Sequence, residues 1–407
     1  MSAVRHRDSV GIQAIALTVG SAVAQLIVAV LYVLAARSSD PSSYGVVVAA
    51  ISVGMSAAGF YDFGSNSVWL RERAAARLGL TQFSSRARTK LLLIAVIGAL
   101  LCLAGLVWSS TPVIVAVILF SVVVGQMMLV PLRADRQGVY VSIAFLVERV
   151  AAIALFGVLA MVGVGSLDAL VPSLVFGSLL SALFAHIAAG PARFRFFRRG
   201  LGNPWSGAAY YGLSASANSA QQLDLALLGV VAGPSAAGVY GAVNRWTQPM
   251  GIIATAFSSA AVPFVAAAAS WRDVLRISTR AVWLLGVAIL GALLAAILAP
   301  VIVPLLLGDA YLGSVPLLQL LALGTIPAVL NQPLAAILQA RNHDRGVAVI
   351  MLMAVALQLI GVAVLGSIAG AIGAAIAFCA LQLILLLAFS GVLAAAYRRH
   401  SRVGAPA

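Results

Sequence analysis

The chain has 407 residues, of which 62% are hydrophobic and 9% are charged, and its net charge is +14. A soluble protein carries about 25% charged residues, so this composition excludes a soluble globular protein. Apolar runs of about 20 residues, long enough to cross the hydrocarbon core of a bilayer, recur from end to end, whereas a membrane β-barrel has alternating segments of about ten residues. The sequence therefore predicts an all-helical, polytopic membrane protein.

The apolar runs predict twelve membrane spans. In chain order these are residues 11–36, 44–69, 90–108, 112–132, 139–162, 168–190, 205–232, 236–268, 278–306, 312–340, 346–366 and 370–397. The opening segment MSAVRHRDSV is short, polar and basic, so we expect it to lead directly into span 1 rather than to act as a cleavable signal peptide.

Positive charge is distributed unevenly between the two sides of this series of spans. Of the 25 lysines and arginines, all except Arg37, Arg149 and Arg245 lie at span ends that share one side of the membrane. The positive-inside rule assigns that side, and with it both termini, to the cytoplasm. We interpret the basic excess as an orientation signal and a contact with anionic membrane lipids, so nucleic acid is not expected as a partner.

The chain also contains an internal repeat. The segment DPSSYGVV after span 1 recurs as GPSAAGVYGAV after span 7, and aligning Pro41 with Pro234 superposes Gly45 on Gly238. Six spans separate the copies, which predicts two parallel six-helix lobes around a cleft, related by an axis along the membrane normal. The predicted units are an N-terminal lobe at 1–190, a basic cytoplasmic linker at 191–204, a C-terminal lobe at 205–397 and a cytoplasmic tail at 398–407.

Two arginines lie inside the predicted spans. Arg149 is about ten residues into span 5 and Arg245 about nine into span 8, near mid-depth at about 1.5 Å per residue. A charge there costs at least about 2.5–3.5 kcal/mol, so each arginine needs a partner or a function. Glu148 precedes Arg149, but adjacent helical side chains point about 100° apart and are not expected to face each other.

Further polar residues accompany these arginines. Pro249 removes the backbone hydrogen bond that would end on the carbonyl of Arg245, which favours a face that lines water or protein. In span 7, Ser214, Asn218, Gln221 and Asp224 recur at helical spacing and predict a polar stripe. The candidate substrate-binding residues are Arg245, Arg149, Asn244, Gln248, Asn218 and Gln221, and the candidate coupling or ion-pair residues are Asp224, Asp62 and Glu148. Asn331 and Gln332 in span 10 are interpreted as helix-packing residues.

Two segments carry a resemblance to a known family. ARSSDPSSYG is followed by a second span that ends in FYDFGSNSVWLRERA, and LALLGVVAGPSAAGVYGAVNR follows in the second half. This arrangement resembles polysaccharide transporters and oligosaccharide flippases of the MOP exporter superfamily. The resemblance implies alternating access of two lobes, a lipid-linked saccharide as cargo, the bacterial cytoplasmic membrane as location, and glycosyltransferases or a polymerase of the same pathway as partners. Many relatives have fourteen spans, and lipid II flippases concentrate arginines in spans 1 and 2, which this chain does not.

The favoured function is therefore a flippase that moves a polyprenyl-diphosphate-linked oligosaccharide to the outer leaflet. Arg245 and Arg149 would bind the diphosphate, because a guanidinium donates two parallel hydrogen bonds to phosphate oxygens. The alternative is a MATE-type cation or multidrug antiporter, which would use a membrane carboxylate. A membrane enzyme of glycan assembly is disfavoured by the short outer loops; no Walker A motif or catalytic constellation is present, so neither catalysis nor a cofactor is expected.

Reporter fusions test the orientation. Because each span reverses the side of the membrane, fusions after Ser110, Gly165 and Gly233 are expected to report an external location, and fusions after Arg86 and Gly200 a cytoplasmic one. Alkaline phosphatase and green fluorescent protein give complementary readouts. One reversed position among the five would contradict the twelve-span topology.

Overall fold

The computed structural model describes residues 10–195, 200–245, 265, 271–341 and 343–403. Throughout these residues the regular structure is helical and no strand occurs. Nine helices in this part of the chain are long and apolar enough to cross a membrane. The prediction of an all-helical polytopic fold is confirmed.

The first half of the chain forms seven helices. They are α1 (Val10–Arg37), α2 (Pro41–Asp62), α3 (Ser65–Ala74), α4 (Leu80–Val107), α5 (Thr111–Ala134), α6 (Gly138–Met161) and α7 (Ser166–Ala188). The short helix α3 was not predicted, and α4 begins at Leu80 rather than at residue 90. Hydropathy missed the first turns of α4 because they are polar, yet they continue the same helix toward the linker side of the bundle.

The second half forms six helices among the described residues. They are α8 (Ala209–Gln221), α9 (Asp224–Ala232), α10 (Pro234–Asn244), α11 (Trp271–Leu307), α12 (Val315–Ala340) and α13 (Asp344–Val403). Predicted span 7 is thus two helices, and α13 contains spans 11 and 12, separated by a break at Ala369 and Gly370. Gly370 has φ 59, which suits a residue without a Cβ atom. The helix continues to Val403, so the first part of the predicted tail at 398–407 is helical.

Local sequence explains how α2 starts and stops. Asp40 is the N-cap: its carboxylate accepts a hydrogen bond from the backbone N–H of Ser43 at 2.9 Å, and Pro41 occupies the first turn. The same bond lowers the pKa of the exposed Asp40 carboxyl below its usual value. At the other end, Phe63 and Gly64 adopt left-handed conformations and turn the chain into α3.

The two copies of the repeated turn contact each other. A Cβ atom at Gly45 would overlap the backbone carbonyl oxygen of Pro234, and a Cβ atom at Gly238 would overlap that of Pro41. Each glycine therefore lies against the proline carbonyl of the other copy of the repeat. This reciprocal contact is the pattern expected where an axis of two-fold pseudosymmetry passes between α2 and α10.

Further contacts close the same end of the bundle. The rings of Tyr44 and Tyr311 meet edge to face with centroids 6.2 Å apart. The Ser314 hydroxyl donates to the carbonyl of Val239 at 3.1 Å. Arg37, at the end of α1, donates to the carbonyl of Leu305 in α11 at 2.8 Å. The two halves of the chain are thus joined at the end that carries the repeated turns.

Replacing Gly238 by alanine tests this closure. The new methyl group meets backbone rather than a flexible side chain, so α2 and α10 must separate. Spin labels at the exposed positions of Ser42→Cys and Ser235→Cys, measured by double electron–electron resonance, are expected to move apart by a few ångströms. Gly98→Ala is the matched control, because no atom lies within 4 Å of its added Cβ. An unchanged distance in Gly238→Ala would show that this contact does not hold the end closed.

Candidate functional site

A polar cavity of about 310 Å³ lies among α1, α2, α5, α6 and α7, with the end of α10 on one side. We call it the N-terminal cavity. Its polar lining residues are Ser21, Gln25, Ser121, Gln126, Glu148, Arg149, Ser178, Ser181 and Arg245. The two arginines that the sequence predicts inside the membrane therefore face one cavity, although they are 96 positions apart and belong to different halves of the chain.

Arg149 forms an ion pair with Glu148, with a guanidinium nitrogen 3.3 Å from a carboxylate oxygen. The expectation that these neighbours would not face each other is wrong. The separation of about 100° describes only the direction in which adjacent side chains leave the helix. Two long side chains can still bend toward each other over a cavity. Both remain about one-fifth exposed, at 23% and 19%, so the pair lines the cavity rather than being sealed in the helix bundle.

Arg245 follows α10 directly, and its guanidinium carbon lies 4.0 Å from the centroid of the Tyr32 ring. Tyr32 belongs to α1 and is buried, so the stacked pair joins the two halves of the chain. Among the described residues, Arg245 forms no ion pair. A cation over an aromatic face is stabilised without its charge being neutralised.

A second cavity, of about 620 Å³, is lined mainly by the second half of the chain, with Ser52 and Met55 of α2 on one side, and we call it the C-terminal cavity. Its polar lining residues are Ser52, Asn218, Gln221, Gln222, Asp224, Asn244, Arg245, Thr325, Gln332, Gln358 and Gln382. Arg245 lines both cavities. The predicted polar stripe of span 7 faces this cavity through Asn218, Gln221 and Asp224, and the side chain of Ser214 lies outside the described residues.

The sequence analysis missed several of these glutamines. Gln222, Gln358 and Gln382 were not predicted, and Gln332 was assigned to helix packing but lines the cavity. Its neighbour Asn331 packs against α13, where its amide donates to the backbone and side-chain oxygens of Gln382, each at 2.9 Å. The sequence contained one signal that could have identified them, which is an isolated glutamine in an apolar span, as at Gln358.

Span 7 is interrupted where it borders this cavity. The N–H groups of Gln222 and Leu223 bond three residues back rather than four, a 3₁₀-type turn between α8 and α9. From α2, the hydroxyl of Ser52 donates to the carbonyl of Gln222, and the hydroxyl of Ser56 donates to that of Ser219 at 2.7 Å. The Ser52 hydroxyl thus binds a carbonyl at the interruption itself, and the Ser56 hydroxyl adds a second hydrogen bond to the Ser219 carbonyl, which also accepts from the N–H of Gln222. A bilayer could not supply such donors.

Asp224 starts α9 and is buried with neutral partners. Its carboxylate accepts from the N–H of Leu225 at 2.6 Å, from the hydroxyl of Tyr240 at 3.4 Å and from the side-chain amide of Gln358 at 3.5 Å. No cation among the described residues lies within ion-pair distance. The position at a helix N-terminus adds a favourable dipole interaction for a negative charge.

Asp62 lies outside both cavities, in an ion pair with Lys90 of α4. Lys90 is fully buried and also donates to the Ser65 hydroxyl at 2.7 Å and to the Asn66 amide oxygen at 3.3 Å. The sequence analysis places Lys90 at the end of a span, whereas in the structure it lies ten residues inside α4, which begins at Leu80. Of the predicted carboxylates, Asp62 thus has a structural partner. The predicted Gln248 and Pro249 lie outside the described residues.

No family model and no curated protein matches this sequence. Solved structures match nearly the whole chain. An inward-facing multidrug resistance MATE family transporter of the MOP superfamily has TM-score 0.67 and 14% identity, covering 92% of this chain and 95% of that one. A MOP superfamily transporter from Pyrococcus furiosus, described as having a binding pocket of reverse polarity that suggests a different function, has TM-score 0.61 and 13% identity over 94% of both. An outward-facing MATE family transporter has TM-score 0.56 and 15% identity over 94% of both. The chain has the MATE/MOP transporter fold.

Replacing Asp62 by asparagine tests the structural ion pair. Removing one partner leaves the buried Lys90 charge uncompensated, which is expected to cost about 3–5 kcal/mol and to lower the temperature of unfolding in detergent. Asp168→Asn is the matched control, since Asp168 is exposed in the first turn of α7 and its loss costs about 0.3–1 kcal/mol. Equal unfolding temperatures for the two variants would contradict the ion-pair role of Asp62.

Proposed function

We propose that this protein is a membrane transporter whose cargo is an anionic, lipid-linked saccharide, moved across the bacterial cytoplasmic membrane by alternating access of two lobes. The finer assignment is a flippase for a polyprenyl-diphosphate-linked oligosaccharide. The observation that carries it is Arg245, a guanidinium without an ion-pair partner among the described residues, at a point that borders two polar cavities.

The balance of charge supports an anionic group in the N-terminal cavity. Its ionisable lining residues are Glu148, Arg149 and Arg245, so two arginines face one carboxylate. Glu148 is already paired with Arg149. Arg245 contributes the excess positive charge, and its stacking on Tyr32 leaves the N–H donors in the guanidinium plane able to bind phosphate oxygens.

The chemistry of the cargo suits the division into two cavities. The diphosphate binds between Arg149 and Arg245, while Asn218, Gln221 and Asn244 offer side-chain amides to the glycan. The lipid tail stays in the bilayer, because both cavities carry charged and polar side chains that a hydrocarbon chain could not satisfy. Glycosyltransferases or a polymerase of the same pathway supply and use such a substrate.

Asp224 is the best candidate for a coupling carboxylate. Its neutral partners leave the charge available to a proton or a small cation, whereas Asp62 and Glu148 each have a basic partner. Its cavity also contains Arg245, so binding of an ion at Asp224 and of an anion at Arg245 would influence each other through the field between them.

A multidrug antiporter is the second candidate, since two of the similar solved structures are described as multidrug resistance transporters. A cationic drug needs an excess of negative charge. The N-terminal cavity has an excess of positive charge, and in the C-terminal cavity Asp224 is opposed by Arg245. The Pyrococcus furiosus transporter, described as having a binding pocket of reverse polarity, indicates that pocket polarity differs between proteins of this fold.

Binding of geranyl diphosphate to the purified protein in lipid nanodiscs, measured by calorimetry, tests the proposal. Arg245→Ala removes a charge-assisted hydrogen bond worth about 1.5–3 kcal/mol, so affinity is expected to fall roughly ten- to hundred-fold. Arg245→Lys should recover part of the loss, since it keeps the charge but not the planar fork.

Arg77→Ala is the control variant, because Arg77 is exposed and remote from both cavities. It should bind geranyl diphosphate as the unmodified protein does, and geraniol should not bind to any variant. Wild-type affinity in Arg245→Ala would contradict the proposal. Binding of tetraphenylphosphonium in place of geranyl diphosphate would favour the antiporter.

A further inference from the structure

The lining of the C-terminal cavity is unusually rich in side-chain amides. Seven of its 17 lining residues are asparagine or glutamine. They converge from separate parts of the chain: α8 and the turn after it, α10, α12 and both arms of α13. The seven are Asn218, Gln221, Gln222, Asn244, Gln332, Gln358 and Gln382.

Helix packing alone does not account for this convergence. Some of the seven do have protein partners, because Gln382 accepts from Asn331 and Gln358 donates to Asp224, yet their side chains also border the cavity. Here the amides surround a volume of about 620 Å³, within the range of about 300–1,000 Å³ that is typical of small-molecule sites. Exposing so many polar groups to a cavity inside a membrane is costly unless water or a polar ligand satisfies them.

The hydrogen-bonding groups of these amides indicate which class of ligand the cavity can bind. Each side-chain amide has one acceptor oxygen and two N–H donors. A sugar hydroxyl also both donates and accepts, so an array of amides complements an array of hydroxyl or acetamido groups. Met55 and Phe378 add apolar surface for the C–H faces of a pyranose ring.

The charge of the cavity indicates whether a charged or an uncharged sugar fits it better. Asp224 and Arg245 are its ionisable lining residues, and their charges are opposite. No excess positive charge is therefore available for the carboxylate of a uronic acid, and the buried Asp224 would repel one. The N-terminal cavity differs, since two arginines there face one glutamate.

We propose that the C-terminal cavity is a binding site for uncharged sugar residues, so that the charge of the cargo is confined to its diphosphate. This inference rests on the proposed function and names the class of glycan. Neutral hexoses and N-acetylated sugars fit the site, and glycans rich in uronic acids do not.

Saturation-transfer difference NMR on the protein in nanodiscs tests the site with two probes of equal length. N,N′,N″-triacetylchitotriose is uncharged, and trigalacturonate carries three carboxylates. The uncharged probe is expected to give a signal at least fivefold stronger than that of the charged one. An equal or stronger signal from trigalacturonate would overturn the inference.

Two variants assign the signal to this cavity. Gln221→Leu combined with Gln332→Leu removes two amides at similar side-chain volume and should reduce the chitotriose signal at least fivefold, whereas Gln25→Leu, the same change in the N-terminal cavity, should leave it unchanged. Gln332→Arg should raise the signal of trigalacturonate by adding a positive charge. A wild-type chitotriose signal in the double variant would overturn the inference.

A parallel measurement separates this inference from the function on which it rests. The double glutamine variant should bind geranyl diphosphate with wild-type affinity, because Arg149 and Arg245 are intact, and this also shows that the variant is folded. If the wild-type protein fails to bind geranyl diphosphate, the proposed function is wrong, while the NMR signals still decide the nature of the C-terminal cavity.

Discussion

Where α2 and α10 meet, a glycine of each helix lies against a proline carbonyl of the other, so the helix axes come as close as backbone atoms allow. From Gly238, α10 continues toward Arg245, which lies about 10 Å further along at 1.5 Å per residue. That distance brings the guanidinium to the ring of Tyr32 and to the border of both cavities. Bulkier residues at the contact would force α2 and α10 apart and would move Arg245 relative to α1 and α2.

Because a charge inside a membrane is costly, the group that stabilises it indicates what role the charged residue has. Lys90 with Asp62 and Arg149 with Glu148 are paired with an opposite charge. Arg245 and Asp224 have an aromatic ring and neutral hydrogen-bond donors instead. Neutral partners stabilise a charge without cancelling it, so the latter two residues keep a field that a ligand or an ion can respond to. By this difference Lys90 and Asp62 are structural residues and Arg245 and Asp224 are functional candidates, while Arg149 combines an ion pair with a position in a cavity lining.

Helical periodicity allowed much of this arrangement to be predicted from the sequence. The spans, the stripe through Asn218 and Gln221, and the interior position of Arg149 and Arg245 all follow from spacing within one helix. The convergence of Gln358 and Gln382 on the stripe does not, because it depends on how distant helices pack.

Two local features also escaped prediction, for different reasons. The interruption of span 7 has no proline or glycine to mark it, and it is stabilised by hydroxyls of α2 that are far away in the sequence. The Arg149–Glu148 pair depends on side-chain length, which angular rules ignore.

The reciprocal glycine contact has the geometry of an interface between identical subunits, in which each surface meets its own copy. In a true homodimer every position near the axis would occur twice, and two arginines would oppose each other there. The alignment that matches Pro41 with Pro234 matches Ser52 with Arg245. Because both halves belong to one polypeptide, their sequences can differ. At this position the second half carries a cation, and the first half carries a hydroxyl that hydrogen-bonds to the backbone of span 7. Arg245 therefore has no arginine counterpart at the matching position of the first half, which strict two-fold symmetry would require.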